Sequence, residues 1–562
     1  MSRIWEQSYP PGISWSEPLP APAPLENMLA DAARGFPDVA AIDFYDRIIS
    51  YRELLDLARR AAKGFQALGV GPGVQVALHL PNSPHFIICF YGILMAGGRV
   101  VPFSPLAAPR ELGYFLKDSE AQVIVTLGLP TLYPQIAALK GKEGLRAIVV
   151  CALDDFMPAP VARAVAGPPA ERVPGPGTEI DYAQLIDNDG QYVVHPRGPL
   201  ADEIACLVYT GGTTGEPKGA MLTHANFRAV VDIRNRWLGD FVRAGDEKTL
   251  MVLPLFHIFG LGIVMQVAIA VATTIVLHLR FDAERALADI AKKRITVFPG
   301  VPTMFTAMVN HPRIKEFDLT SLRQCGSGGA PLPMEVMTRF KELTGITPAE
   351  GYGLTETAPI ATFQRMDEEP HLGSVGIPAP LTSVEIVDLD TGLTVLAQGE
   401  RGEICITGPS VMKGYWHKPA ATEEAFRGGR FHTGDIGYID AAGYLTIVDR
   451  KKDLIISGGF NVFPRNIEEA IYEHPSVAEV TVIGVPDAYR GQSAKAFIAL
   501  KSGAAEFTLD ELKGFLADRI AKYELPTELE FRPSLPKTAV GKLSKKELVA
   551  EELAKRQNVT AN

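Results

Sequence analysis

A chain of 562 residues is too long for one ordinary hydrophobic core, so two or more domains are expected. Its 47% hydrophobic and 21% charged residues describe a folded globular protein and exclude intrinsic disorder. A net charge of −10, with no long basic run to offset it, argues against nucleic acid as a partner.

The opening stretch, MSRIWEQSYPPGISW, has no apolar core and so does not read as a signal peptide. From residue 25 to 150, helical and extended patterns alternate. Ser50 to Leu68 is amphipathic, Gln75 to Leu80 is a strand, Ser83 to Ala96 is an apolar helix, and Arg99 to Pro102 is a strand. Such alternation predicts an α/β fold with a mostly parallel sheet covered by helices on both faces. Residues 156 to 178 are rich in Pro, Ala and Gly and read as an irregular surface excursion. The five cysteines, Cys89, Cys151, Cys206, Cys325 and Cys405, never form a Cys-x-x-Cys pair. Each lies among apolar neighbours, which fits buried, reduced thiols of a cytoplasmic enzyme and offers no zinc site.

Ile204 to Val208 is a short apolar run, read as a buried strand, and it leads into Tyr209 to Gly219, YTGGTTGEPKG. Glycines here let backbone N–H groups turn inward as an anion nest. The threonine hydroxyls add donors and Lys218 adds a charge. Thr210, Gly211, Gly212, Thr213, Thr214, Gly215 and Lys218 thus make a loop suited to phosphate. It is not a Walker A motif, because Lys218 is followed by Gly219-Ala-Met-Leu222, another strand, so the loop caps a hairpin.

Thr223 is placed to cap a helix through Trp237. Next comes Pro254 to Gly262, PLFHIFGLG, where His257 on its own reads as a satisfied core residue and Gly260 and Gly262 leave room for an alkyl chain. Phe259 to Leu279 has the length of a membrane span. Gln266, the glycines and the Thr273-Thr274 break favour instead a buried helix followed by a core strand.

Two glycine-rich turns follow strands: Ser327-Gly328-Gly329-Ala330-Pro331, ahead of a helix near Pro333, and Gly351-Tyr352-Gly353-Leu354-Thr355-Glu356-Thr357. Asp435, in His432-Thr433-Gly434-Asp435, is either a turn aspartate or a carboxylate for two ribose hydroxyls. After the strand Tyr444 to Val448, the run Asp449-Arg450-Lys451-Lys452-Asp453 marks a boundary between residues 1–450 and 451–562. Taken alone, Arg450 pairs with Asp449 or Asp453 at the surface, which is worth little. Beyond it lies a small α+β pattern: a helix Pro464 to His474, strands Val477 to Val485 and Ala494 to Leu500, and a helix Leu509 to Lys522. Thr508 with Glu511, and Ser544 with Glu547, form capping boxes. The second puts Lys542 on a turn just ahead of the last helix, among Lys537, Lys545 and Lys546, and composition does not choose between the four.

From Trp5 to the last helix these motifs resemble the adenylate-forming family of acyl-CoA synthetases, luciferases and peptide-synthetase adenylation domains, most of all the bacterial long-chain fatty acid–CoA ligases. The resemblance implies a large N-terminal domain of mostly parallel sheets with a small β subdomain, and a small mobile C-terminal α+β domain. It implies ATP, Mg²⁺ and coenzyme A as cofactor and co-substrates, with a fatty acid activated to acyl-AMP and passed to the CoA thiol. By the same resemblance the 210–218 loop holds phosphate, and Gly328, Gly329 and Ala330 hold the adenine. Tyr352, between Gly351 and Gly353, stacks on the adenine. Thr355 meets phosphate and Glu356 binds Mg²⁺, a hard cation that suits a carboxylate. His257 positions the acyl carboxylate, Asp435 and Arg450 reach the ribose, and Lys542 is the catalytic lysine. Lys452 is the hinge, and Gly458, Gly459 and Phe460 belong to the loop of the thioester step. The rivals are the same reaction on an aryl or short branched acid, an acyl-AMP ligase with another acceptor, and a non-catalytic fatty-acid binding protein. Peripheral membrane contact and a homodimer stay open.

Overall fold

The computed structural model describes residues 3–210, 216–458, 460–487, 489–538 and 541–560. Two seven-stranded sheets carry the first 351 residues. In the first, Thr178–Asp181, Ala147–Cys151, Val123–Leu127, Gln75–His79, Arg99–Pro102 and Ile204–Thr210 run parallel, and Lys218–Thr223 closes the edge antiparallel. In the second, Ala349–Gly351, Gln324–Gly328, Val297–Gly300, Lys248–Met251, Thr274–Leu277 and Ala40–Phe44 are parallel, with Arg47–Ser50 antiparallel at the end. The strands read as near-continuous apolar runs because both faces are covered.

Helices Tyr51–Ala67 and Pro84–Met95 pack against each other within this body, and every residue of the second is buried. Their approach is close enough that a Cβ at Gly92 would lie 2.8 Å from Ala61 Cβ and 3.1 Å from the Ala58 carbonyl oxygen. Overpacking of this kind costs about 1–3 kcal/mol or more. Gly92→Val is therefore expected to lower the thermal unfolding midpoint, and an unchanged midpoint would show that the two helices can move apart.

A four-stranded antiparallel sheet follows, of Ser383–Val387, Gly402–Thr407, Phe431–Ile439 and Leu445–Arg450. One hydrophobic core runs from Trp5 to Leu445 through all these layers. The strands Ile455–Ser457, Phe460–Val462, Val477–Asp487, Gly491–Leu500 and Glu528–Phe531 form a five-stranded sheet with its own apolar cluster around Ile467, Val482 and Leu512.

Three local expectations change. Residues 156 to 178 are not wholly irregular, since Ala159–Ala166 is a helix begun by Pro160 in its first turn. The helix from Leu509 ends at Leu516, not Lys522. Arg519 folds back there, donating to the Phe515 carbonyl at 2.6 Å and pairing with Glu473 at 2.9 Å, so the last carbonyls are satisfied without further turns. The segment after His257 is helix and then core strand as expected, a π-helix, Phe259–Met265, running into an α-helix, Gln266–Ala270, and then the strand Thr274–Leu277. No helix among the described residues is long and apolar enough to cross a membrane. Gly260 and Gly262 do not open space for a ligand: their missing side chains admit the Pro254 and Ala358 carbonyls. All five cysteines are buried.

Candidate active site

The C-terminal ends of the second sheet's strands open into a cleft of about 1630 Å³, bordered also by the hairpin of the first sheet and by the turn before the last helix. The hairpin pairs Tyr209 with Gly219 and Thr210 with Lys218, the Thr210 hydroxyl donating to the Lys218 carbonyl at 3.4 Å. Residues 211–215 at its tip, which include Gly211, Gly212, Thr213, Thr214 and Gly215, lie outside the described residues. Lys218 reaches the cleft with its ammonium 5.1 Å from the centre of the Tyr415 ring.

Tyr415 ties the hairpin to the acidic turn. Its hydroxyl donates to Glu356 Oε1 at 2.8 Å, and the neighbouring Trp416 N–H donates to the Gly219 carbonyl. Glu356 sits in one turn of 3₁₀-helix, Thr355–Thr357, that follows the strand Ala349–Gly351. Burial raises its carboxyl above the usual range, against the Tyr415 hydrogen bond. A desolvated carboxylate on a cleft wall suits a hard divalent cation, which takes oxygen ligands. No group of three or more acidic, His or Cys side chains placed to hold a metal ion exists among the described residues, so such an ion would lean on its ligand for the rest.

Asp435 is not a turn aspartate. It faces Arg450 across the antiparallel pair, its Oδ1 3.1 Å from Arg450 Nε, while its Oδ2 accepts from the Tyr352 hydroxyl at 2.5 Å. The surface pairing of Arg450 with Asp449 is replaced by this cleft pairing; Asp449 instead accepts from the backbone N–H groups of Arg450 and Arg465. Gly328, Gly329, Ala330, Gly351, Gly353 and Thr355 all border the same cleft. Gly353 allows close chain approach, since a Cβ there would collide with the Pro359 carbonyl.

His257 also borders the cleft, its Nδ1 accepting from the Phe259 N–H at 3.3 Å. Burial, and then the Lys542 charge, push its pKa down to about 3, so the ring is neutral near pH 7. It can orient a carboxylate but does not bring a charge.

All four lysines near the C-terminus border the cleft, but their partners differ. Lys537 pairs with Glu479 and Lys545 with Glu468, while Lys546 is exposed. Lys542 extends into the cleft, its Nζ only 2.7 Å from where a Cβ on Gly329 would stand. Its turn is held by the Thr303 hydroxyl, which donates to the Gly541 carbonyl at 2.8 Å, and by Thr538 N–H, which donates to the Lys542 carbonyl. Burial and then Arg450 lower its pKa to about 8, against the pull of Asp435. The capping box expected of Ser544 and Glu547 is not made: the Ser544 hydroxyl donates to the Glu547 carboxylate, and its backbone N–H goes to the Pro536 carbonyl instead.

Lys452 borders the cleft. The loop after it does not. Gly458 adopts φ +58, Phe460 is 55% exposed and stacks on Tyr523 at 4.8 Å, and neither lines the cleft; Gly459 lies outside the described residues. Lys542 therefore lines the cleft, and Gly458 and Phe460 of the same small body do not. The sequence reading missed Tyr415 and Thr303, whose roles come from contacts across more than fifty residues each; a Tyr-Trp pair and a lone threonine carry no local signature.

Comparison with known proteins identifies the family of the chain. The family described as AMP-binding enzyme matches residues 29–416, and its C-terminal domain matches residues 466–542. The chain is 40% identical to a long-chain-fatty-acid–CoA ligase of Bacillus subtilis, covering 98% of each, and 36% identical to a feruloyl-CoA synthase of Amycolatopsis, covering 92% of this chain and 96% of that one. Among solved structures, ATP-bound MatB from Rhodopseudomonas palustris superposes with a TM-score of 0.82 at 31% identity, over 94% of this chain and 98% of that one. The chain belongs to the AMP-binding enzyme family, as an adenylate-forming CoA ligase.

Proposed function

We propose that this protein activates a medium- to long-chain fatty acid in two steps and transfers it to coenzyme A. A carboxylate oxygen attacks the α-phosphorus of ATP, the bond to the β-phosphate oxygen breaks, and pyrophosphate leaves. The CoA sulfur then attacks the acyl carbon of acyl-AMP, gives up its proton, and AMP leaves with the electrons of the broken C–O bond. The observation that carries the reading is the convergence of Lys542, Lys218, Glu356, Asp435 and Arg450 on one cleft. Fixed cations stabilise the charge that builds on phosphate oxygens during the first step. Asp435 and Arg450 would take the ribose, and neutral His257 would orient the acyl carboxylate. Mg²⁺ held at Glu356 would neutralise phosphate charge when bound.

Two half-reactions with different needs would use the small C-terminal unit, residues 451–562, in two positions about Lys452. Lys542 serves the first. The loop of Gly458, Gly459 and Phe460, whose Gly458 and Phe460 do not line the cleft here, would replace it for the second.

An alkyl chain fits the wall offered by Ile263, Val264, Val267, Ala268 and Val271, which recur on one face of the segment after His257 and line the same cleft. An aryl acid is the second reading, favoured by the feruloyl-CoA synthase likeness. AMP release from Mg-ATP, with and without CoA, across acids from acetate to stearate and ferulate distinguishes them. Alkyl acids should gain with each methylene by up to about 0.8 kcal/mol. A clear optimum at ferulate or at acetate would discard the fatty-acid assignment. Pyrophosphate release without CoA turnover would point to another acceptor, and silence on all acids would favour a binding role.

A further inference from the structure

One wall of the cleft carries a charge that the reaction above does not use. Arg234, on the helix His224–Leu238, lines the cleft beside Trp237 and Leu238. Its Nη1 is buried without a hydrogen-bond partner. Among the described residues it enters no ion pair, and its guanidinium instead lies over the Phe363 ring, 5.2 Å from the centroid. The other arginines of this helix are engaged elsewhere: Arg228 beside Asp232 at 3.8 Å, and Arg236 on the Glu17 and Pro18 carbonyls. Glu247, an acidic side chain of the cleft wall, is taken by Arg323. Consistent with this isolation, burial alone lowers the Arg234 pKa, to about 10.

A desolvated guanidinium without a counter-ion is costly, and a wall meant only for methylene groups has no use for one. Its planar fork matches a carboxylate in a two-point contact. The nucleotide end of the cleft already has its own cations and carboxylates in Lys218, Lys542, Arg450, Asp435 and Glu356. Arg234 instead lies against Phe363, on a helix that packs against Phe259–Met265 and Gln266–Ala270, the segment that carries the apolar wall.

We propose that Arg234 binds a second carboxylate at the far end of the acyl chain, so that the preferred acid is an α,ω-dicarboxylic, ω-oxidised fatty acid. The proposal rests on the CoA-ligase reading and narrows its substrate class. The enzyme that supplies such a substrate must oxidise the terminal methyl of a fatty acid to a carboxyl group.

The test uses the full-length wild type and Arg234→Met, with matched acid pairs from hexanedioate and hexanoate to hexadecanedioate and hexadecanoate. CoA-dependent AMP release gives kcat and KM, and calorimetry gives binding without turnover. At one chain length or more, the wild type should favour the diacid over its monoacid by about tenfold or more in kcat/KM. Arg234→Met should lose about 10- to 100-fold on that diacid, mostly in KM, as expected for a hydrogen-bonded charge. Its kcat/KM on the matched monoacid should rise, because the wall has become apolar. Arg234→Lys should recover part of the diacid preference, keeping the charge without the fork. The proposal is overturned if no diacid beats its monoacid, if Arg234→Met weakens both acids equally, or if it raises KM for ATP instead. Should the wild type turn over none of the acids, the ligase reading fails while calorimetry still decides: diacid binding lost selectively in Arg234→Met upholds the site, and no diacid binding to the wild type removes it. Folding of the variant is checked by thermal melting, where removal of a buried unpaired charge should not lower the midpoint.

Discussion

Lys542→Ala is expected to slow acyl-AMP formation by about 10²–10³-fold while leaving thioester formation from supplied acyl-AMP within a fewfold of wild type. The reason is positional. Lys542 is the lysine of its cluster whose ammonium stands beside Gly329, whereas Lys537 and Lys545 on the cleft border are held in ion pairs, and Gly458 and Phe460 of the loop expected to serve the second step do not line the cleft. A cation placed where phosphate charge develops contributes to the first transition state, and the second has no such demand on it. Equal loss in both half-reactions would count against the division of labour and would point to a damaged fold or a shared role. The lowered pKa of Lys542, about 8, adds a pH signature. The working form is the cation, and its population falls as pH rises through the free-enzyme pKa. Wild-type kcat/KM for adenylation should therefore decline above about pH 8, whereas Lys542→Arg, which stays charged, should have a flatter alkaline limb. An alkaline limb that persists unchanged in Lys542→Arg would assign the titration to another group.

Glu356→Gln should give the second large effect, roughly a hundredfold loss in kcat/KM for ATP, accompanied by a Mg²⁺ requirement raised about tenfold or more. The substitution keeps an acceptor for the Tyr415 hydroxyl, so the hairpin and the acidic turn can remain joined. What it removes is the negative charge. Burial raises the wild-type carboxyl, so the ion must displace a proton more often as pH falls. Apparent Mg²⁺ affinity in the wild type should accordingly weaken on acidification, and this dependence should be absent in Glu356→Gln. An unaltered Mg²⁺ titration in the variant would reduce Glu356 to a structural partner of Tyr415.

The chemistry of this protein is largely local in its sequence. The strand–loop–strand around Tyr209 to Gly219, the two glycine turns, and the caps at Ser50, Thr223 and Thr508 each depend on backbone freedom or on hydrogen bonds spanning a few residues. Such features are legible wherever they stand in a chain, and the β–α alternation of residues 25–150 was legible for the same reason. Pairings over long distances were not. Asp435 read equally well as a turn residue until the antiparallel pairing set it opposite Arg450 and under the Tyr352 hydroxyl, 83 residues away in the chain. Gly260 and Gly262 suggested open space, but the folded chain uses that space for the Pro254 and Ala358 carbonyls. Composition could not choose among four lysines; ion pairs with Glu479 and Glu468 removed two, and docking of the Gly541 turn on Thr303 aimed Lys542. Nothing in the sequence around Arg234 drew notice to it; packing set its guanidinium over the Phe363 ring and left its Nη1 without a hydrogen-bond partner. Local backbone preference writes the motifs into the sequence. Which charges are paired, buried or left facing the cleft depends on partners hundreds of residues apart, and that is settled only when the sheets close around them.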